Sequence, residues 1–223
     1  IEDNRAGDSL SVIMINQKLG SIATFDSSDN MRNWSGVTLW EATDDLVKKH
    51  PEALGRVRSV KFSKFNLKSG ETLPKEVGNL KSLESFSVGA NENNQIREVN
   101  LGDEICSLKY LKNLTVQAYG LTQLPANFIN LGKSLESLNL VSNNFNKLSD
   151  ITNIVNEKNF PKLRNLILYA QRRTDVVTNI ASLGEKNASG VYVYNNYPIG
   201  LYGKVNAGSA DRQALLKLLT WDK

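Results

Sequence analysis

The apolar positions of this chain recur in a six-residue phrase, L-x-x-L-x-L, in which polar residues fill the intervening places. Five copies begin with valine or leucine at positions 57, 83, 111, 135 and 163, which are 26, 28, 24 and 28 residues apart. The alternation at the end of each phrase predicts a short strand with apolar side chains buried and the others facing outward. A repeat of this length predicts a solenoid whose units stack on one another.

A second phrase follows the strands, with apolar residues three or four apart, as in Leu73-Pro-Lys-Glu-Val77-Gly-Asn-Leu80. This spacing predicts a short helical turn on the side of the solenoid opposite the strands. One irregular unit predicts a longer helix over roughly 148–158. The turn after each strand has a polar or aromatic residue, where an asparagine amide can bind backbone groups of adjoining turns. These turn residues are Phe65, Asn91, Tyr119, Asn143 and Gln171.

The pattern divides the chain into four parts. Residues 1–33 form an N-terminal segment with a helix, and 34–56 form a cap in which Trp34 covers the first strand and a helix is expected over 41–53. The repeats occupy 57–200 and include a further strand at 191–196. The tail 201–223 contains a stretch that resembles residues 17–26 at a constant offset of 196. We interpret this tail as the start of a second tandem repeat domain; the alternative is an unrelated amphipathic helix.

The amino-acid composition and charge of the chain exclude several classes of function. The 223 residues are 40% hydrophobic and 22% charged, which is typical of globular proteins. No apolar run reaches the roughly 18 residues of a membrane span, so no transmembrane segment is expected in this fragment. The net charge is +4, but basic and acidic residues are mixed along the chain. No nucleic-acid partner is therefore expected, and a monomer is the expected state.

Residues for catalysis are scarce. With a single cysteine, Cys106, and a single histidine, His50, the chain cannot supply the usual soft ligands of a zinc site. Cys106 is expected to be a small buried residue between strands, and His50 a solvated residue at a helix end. Acidic pairs such as Asp44-Asp45 are expected on solvated faces. We therefore expect no enzyme activity, no catalytic residue, no metal and no cofactor.

Three phrases carry a resemblance to a known family. These are W-x-G-V-x-L from Trp34, G-R-V-x-x-V from Gly55 and L-P-x-x-V-G-N-L-x-x-L from Leu73. Together they resemble the plant-type leucine-rich repeat subclass and its relatives among exported or surface proteins of Bacteroidetes. The chain lacks the paired cysteines usual in the plant members, which favours a bacterial origin.

The resemblance implies an α/β fold, a right-handed horseshoe with a parallel concave sheet and short helices on the convex side. It also implies an extracellular or cell-surface location. For function it implies a non-enzymatic module that binds protein, peptide or glycan through the concave face. The alternative is a structural spacer in a tandem-domain surface protein.

The outward-facing strand positions are then the candidate binding residues. They are small, polar and nearly uncharged. In the strand of the fourth phrase, the outward-facing positions are expected to continue as far as Val141. Tyrosine and arginine concentrate binding energy in interfaces, and three tyrosines fall at the C-terminal end of the sheet. The alternative for these tyrosines is that they seal the end of the solenoid. The candidates are Tyr169, Tyr192, Tyr194, Gln171, Arg172, Asn165, Asn139 and Gln117.

Overall fold

The structure is a computed structural model that describes residues 1–21, 23–65, 70–90, 99–117, 120–145, 149–156 and 158–168. Within these residues it has three α-helices: α1 (Arg5–Leu19), α2 (Asp45–Lys49) and α3 (Ser149–Thr152). It also has six strands: β1 (Val37–Leu39), β2 (Val57–Phe65), β3 (Ser85–Ala90), β4 (Asn113–Gln117), β5 (Ser137–Asn139) and β6 (Asn165–Ile167). The predicted strand at 191–196 and the tail 201–223 lie outside the described residues.

The six strands form one sheet in the order in which they occur along the chain. Strands β2 to β6 are parallel, and equivalent positions of successive phrases pair in register, as Ser85 does with Asn113 and Asn113 with Ser137. Strand β1 pairs with β2 in the antiparallel sense and forms the first edge of the sheet. The phrase therefore predicts β2 to β6 correctly, and the cap supplies a further strand.

The apolar residues of the phrase form the core. All fifteen apolar positions of the five copies are at most 2% exposed, and they belong to one continuous hydrophobic cluster. Burying a side chain of this size stabilises the fold by about 1.5–3 kcal/mol relative to leaving it exposed. Because parallel pairing aligns equivalent positions, each unit buries its leucines against those of the next, and no single unit has a complete core.

The predicted helical turns are 3₁₀ helices: Lys75–Asn79, Glu104–Ser107 and Ala126–Lys133. They pack side by side on the far side of the core from the sheet, and α1 packs beside the first of them. Two begin after a proline, Pro74 or Pro125, which stands at the position before the helix. The 3₁₀ form rises about 2.0 Å per residue, more than an α-helix does, so few residues cross the width of the unit.

Two helix predictions are corrected. The helix over 148–158 is limited to α3, because the side-chain amides of Asn156 and Asn159 donate to the carbonyl oxygens of Thr152 and Ile154 instead of facing solvent. The helix over 41–53 is divided into α2 and a 3₁₀ helix, Pro51–Ala53. Proline has no N–H to donate and disfavours a helical residue before it, so α2 ends at Lys49.

Asn143 confirms the predicted role of asparagine in the turns. Its side chain is fully buried, and Nδ2 donates to the carbonyl oxygens of Val116 (2.6 Å) and Leu140 (3.0 Å). Oδ1 accepts from the backbone N–H groups of Gly120 (3.1 Å) and Leu121 (3.2 Å). One amide thus satisfies four backbone groups in two adjacent units. Asn91, Tyr119 and Gln171 lie outside the described residues.

A buried ion pair holds the N-terminal helix on the solenoid. Arg56 donates from Nε and Nη2 to the two carboxylate oxygens of Asp8 in α1, at 2.9 and 2.7 Å. The Val57 N–H donates to the same carboxylate at 2.9 Å. Burial raises the pKa of Asp8, against the hydrogen bonds from Arg56 and Val57 that lower it. Removing Arg56 would leave the buried carboxylate of Asp8 without its charge partner.

Trp34 covers the first strand, as predicted. It is 5% exposed, and its indole Nε1 donates to the carbonyl oxygen of Asp26 at 3.0 Å. Its ring packs on Phe25 with the centroids 5.2 Å apart, and Phe25 meets Phe62 of β2 edge to face at 6.1 Å. The N-terminal end of the core is therefore closed by aromatic side chains.

Replacing Asn143 with alanine is expected to lower the free energy of unfolding by roughly 3 kcal/mol, because buried backbone groups in two units lose their partners. Urea unfolding followed by circular dichroism measures the change. The matched control is Asn127→Ala, since Asn127 is exposed; it is expected to change stability by less than about 0.5 kcal/mol. Equal stabilities of the two variants would contradict the role given to Asn143.

Candidate binding surfaces

The outward-facing strand residues form a surface that we call the outer sheet face. Its side chains are all half-buried or exposed, because parallel register places them in rows on the side away from the core. Within the described residues only one member is charged. The outer sheet face consists of Ser59, Lys61, Ser85, Ser87, Asn113, Thr115, Ser137, Asn139 and Ile167.

Three of the eight predicted binding residues lie in described strands. Gln117 is exposed at the end of β4. Asn139 is half-buried in β5, and its Oδ1 accepts from the Val141 N–H at 3.0 Å. Asn165 begins β6 and pairs in register with Ser137. The other five lie outside the described residues and stay predictions: Tyr169, Gln171, Arg172, Tyr192 and Tyr194.

The prediction that Val141 faces outward is wrong. Val141 is 5% exposed, because β5 ends at Asn139 and the alternation of the strand ends with it. The chain then turns through Ser142, which has a positive φ of 58°, to bring Asn143 into the core.

A row of alternating charges lies where the strands begin, and we call it the charge ladder. It is formed by the second residue of each phrase, whose backbone N–H donates to the equivalent carbonyl of the preceding unit. Glu84 lies between two cations: its Oε1 is 3.1 Å from Arg58 Nη2, and its Oε2 is 3.9 Å from Lys112 Nζ. Lys112 Nζ is also 3.9 Å from Glu136 Oε2. The ladder is Arg58, Glu84, Lys112, Glu136 and Arg164.

A second row, which we call the lysine row, precedes the ladder. Each member lies one or two residues before the first apolar residue of its phrase, and each is exposed. Within the described residues none of them forms an ion pair. The row is Lys81, Lys109, Lys133 and Lys162. Sequence inspection missed it because its members are 24 to 29 residues apart; the signal was a lysine recurring just before each phrase.

A groove of about 570 Å³ lies beside α2 and is lined by four members of the charge ladder and three of the lysine row; Arg164 and Lys81 do not line it. The indole of Trp40 lies at its base with Arg58 stacked over the ring, 4.4 Å from the guanidinium carbon to the centroid. Trp40 Nε1 donates to the Ser82 carbonyl oxygen at 2.7 Å. The lining side chains carry six cations and four anions: Lys49, Arg58, Lys109, Lys112, Lys133 and Lys162 against Asp44, Asp45, Glu84 and Glu136.

Cys106 is buried as predicted, whereas His50 lies at a helix end as predicted but is half-buried and not fully solvated. Cys106 is 4% exposed, and burial, with smaller effects from Asp103 and Glu104, raises the pKa of its thiol to about 12. His50 ends α2, half-buried, with its ring centroid 5.7 Å from that of Tyr110. In the described part of the chain no three histidine, cysteine or acidic residues cluster as metal ligands would.

Comparisons with known proteins bear on the fold. No protein-family model matches the sequence, and no curated protein is similar to it. Among solved structures, a plant ice-binding protein is similar with a TM-score of 0.54 and 20% identity over 76% of this chain. This chain covers half the length of that protein.

Two further solved structures have lower scores. The leucine-rich repeat ectodomain of the receptor kinase SOBIR1 from Arabidopsis thaliana has a TM-score of 0.49 and 19% identity, over 78% of this chain and 87% of its own. A leucine-rich repeat protein from Bacteroides eggerthii has a TM-score of 0.39 and 12% identity, over 75% and 50% of the two chains.

The chain has a leucine-rich repeat fold. The observation that decides it is the chain's own geometry: L-x-x-L-x-L strands at a period of 24 to 28 residues, paired in parallel register and backed by 3₁₀ helices. Within the part of this leucine-rich repeat chain that the structure describes, no helix combines the length and apolar character needed to cross a lipid bilayer.

The Cys106 thiol is expected to react very slowly with Ellman's reagent in the native protein at pH 8. The thiolate is the reactive form, and a pKa of about 12 keeps the thiol protonated there. In denaturant the thiol becomes exposed and is expected to react at the rate of a free cysteine. Absorbance at the wavelength of the released thionitrobenzoate follows both reactions; equal native and denatured rates would contradict the buried position.

Replacing Glu84 with lysine is expected to lower the free energy of unfolding by about 1–2 kcal/mol, because three neighbouring units then present cations. Glu84→Gln, which removes the charge without reversing it, is expected to cost less. The difference between the two variants should shrink between 0.1 M and 1 M salt, where the Debye length falls from about 10 Å to about 3 Å. Urea unfolding at both salt concentrations measures it; a difference that does not change with salt would argue against an electrostatic ladder.

Proposed function

We propose that this chain is a non-enzymatic binding module of an exported bacterial surface protein. Its ligand, a protein, peptide or glycan, lies across the outer sheet face. The observation that carries the proposal is the face itself: small polar side chains recur in register on four adjacent strands, β2 to β5, and stay accessible to solvent.

The chemistry of the face suits an extended polar ligand. Serine, threonine and asparagine side chains donate and accept hydrogen bonds, and they lose little rotamer entropy when a ligand orders them. Adjacent strands are about 4.8 Å apart, so a ligand that crosses the strands meets a similar polar group at each step. We propose that the sheet is the concave side of a right-handed horseshoe, which would bring these rows toward a common ligand.

The binding energy is proposed to concentrate at the C-terminal end of the face. We predict that Tyr169, Tyr192 and Tyr194 lie there, with Gln171 and Arg172 close by in the chain. Tyrosine and arginine are enriched among residues that dominate interfaces. Gln117, Asn139 and Asn165 would continue the site toward the middle of the sheet. The module is proposed to act as a monomer outside the cell and to be followed by a second repeat domain.

A structural spacer is the second candidate. The observation that favours it is the uniformity of the outer sheet face, on which Lys61 is the one charged member among the described residues. With one charged residue and no large aromatic side chain among its described members, the face offers few residues of the kind that dominate binding energy. In this case the tyrosines would seal the end of the solenoid.

A protein and glycan array distinguishes the binding module from the structural spacer. The wild-type chain is expected to bind a reproducible set of ligands on the array. The Thr115→Arg variant is expected to bind none of them, because a long side chain then stands in the middle of the outer sheet face. Asn127→Arg is the matched control, since it adds the same side chain to the opposite side of the solenoid. An empty array for the folded wild type would contradict binding and favour the spacer.

The tyrosine end is tested on the same array. Combined replacement of Tyr169, Tyr192 and Tyr194 by alanine is expected to abolish binding of the ligands that the wild type binds, because the proposed anchors are lost. The circular dichroism spectrum and unfolding midpoint of the triple variant establish that it is folded. An unchanged array profile for the folded variant would contradict the proposed anchors and leave the rest of the face as the site.

A further inference from the structure

We propose a second binding site, for a linear acidic glycan, in the groove between the lysine row and α2. This site lies where the strands begin, whereas the function proposed above uses the outer sheet face. The juxtaposition that carries the inference is the stacking of the units, which brings three lysines of successive units and four members of the charge ladder to the same groove. The three lysines are Lys109, Lys133 and Lys162.

The cationic excess of the groove is concentrated in its lysines. Arg58 contacts Asp44 and Glu84, and Lys112 contacts Glu84 and Glu136, so the ladder largely neutralises itself. The four other lining cations form no ion pair within the described residues: Lys49, Lys109, Lys133 and Lys162. Asp45 is the one lining carboxylate without an ion pair in that part of the chain. The lining residues that carry unpaired charge are thus three members of the lysine row, together with Lys49 and Asp45 on α2.

The shape of the groove favours a linear ligand. It extends along the sheet across the units that contribute Arg58, Glu84, Lys112 and Glu136. A polyanion lying in it would cross the strands, and one lysine of the row would meet it at each unit from Lys109 to Lys162. Unlike the outer sheet face, this surface is strongly charged, so it selects by charge as well as by hydrogen bonding.

The spacing of the rows favours a glycan over a polypeptide. Adjacent parallel strands are about 4.8 Å apart, and one sugar residue of an extended chain has a similar length. An acidic glycan with one carboxylate or sulfate per sugar, placed alternately on its two sides, therefore presents an anion to the lysines at about every second unit and stays in step with the strands. An extended peptide repeats a side chain on one face every two residues, at roughly 6.7 Å, and falls out of step with the units.

The charge ladder disfavours a nucleic acid. Glu84, Glu136 and Asp45 lie in the same groove as the lysines, and like charges brought together across an interface reduce affinity. The aromatic rings are also engaged: Trp40 is 3% exposed, and Tyr110 packs beside His50. Single-stranded nucleic acids bind by stacking bases on open aromatic faces, which this groove does not offer within the described residues.

The test uses a fluorescein-labelled linear oligomannuronate and fluorescence anisotropy at 0.1 M salt. The wild-type chain is expected to bind it, and to bind the carboxyl-reduced, neutral form of the same oligosaccharide at least tenfold more weakly, a loss of about 1.4 kcal/mol. Raising the salt to 1 M is expected to abolish binding, because the contacts are exposed and the Debye length falls to about 3 Å.

Two charge-matched variants locate the site. Lys109→Gln combined with Lys133→Gln is expected to weaken binding about tenfold, since each exposed charge contact contributes a fraction of the total. Lys48→Gln combined with Lys75→Gln removes the same charge from exposed lysines outside the groove and is expected to leave the affinity unchanged. Circular dichroism and the unfolding midpoint confirm that both variants are folded.

Three results would overturn the proposal. The first is no binding of the oligomannuronate by the folded wild type, or equal binding of its neutral form. The second is an equal loss of affinity in the two double variants, which would indicate a diffuse effect of net charge. The third is tighter binding of poly-glutamate or of a single-stranded oligonucleotide of matched charge, which would assign the groove to a polypeptide or a nucleic acid. None of these results bears on the outer sheet face.

Discussion

The in-register pairing of strands β2 to β6 is the constraint on which the rest of the structure depends. It aligns equivalent residues of successive units, such as Phe86 with Leu114 and Ser87 with Thr115. Each position of the repeat thereby becomes a row: leucines in the core, small polar residues on the outer sheet face, and charges where the strands begin. A slip of one residue would turn the apolar positions of a strand toward solvent, so the core itself enforces the register. The proposed surfaces are consequences of this register.

The regular part of the fold could be predicted from the sequence, because its determinants are local and repeated. The phrase L-x-x-L-x-L identifies five strands and their buried faces, and the phrases with apolar residues three or four apart identify the 3₁₀ helices. The role of Asn143 was predictable because an asparagine amide both donates and accepts, which suits it to bind backbone groups in the turn after a strand. Trp34 was also predictable, since the first unit of a solenoid needs a cover for its apolar end.

The features that sequence reasoning missed depend on residues far apart in the chain. Asp8 and Arg56 are 48 residues apart, and no local pattern indicates that their charges meet inside the protein. The lysine row is regular, but one member per unit looks like scattered charge until the units are stacked. The predictions for Val141 and for the helix over 148–158 were wrong for the opposite reason. In both places the apolar pattern of the sequence continues, but side-chain amides of nearby asparagines bind the backbone, and the strand or helix ends.

Disulfide trapping tests the register most directly. In a Cys106→Ala background, cysteines at Ser87 and Thr115 would occupy partner positions of β3 and β4, with Cα atoms about 5 Å apart, within the range that a disulfide spans. Cysteines at Ser87 and Gln117 would face the same way but lie roughly 8 Å apart, beyond that range. The account predicts rapid oxidation of the first pair and little of the second, measured by mass spectrometry after alkylation. Preferential oxidation of the second pair would show that the strands are paired in another register.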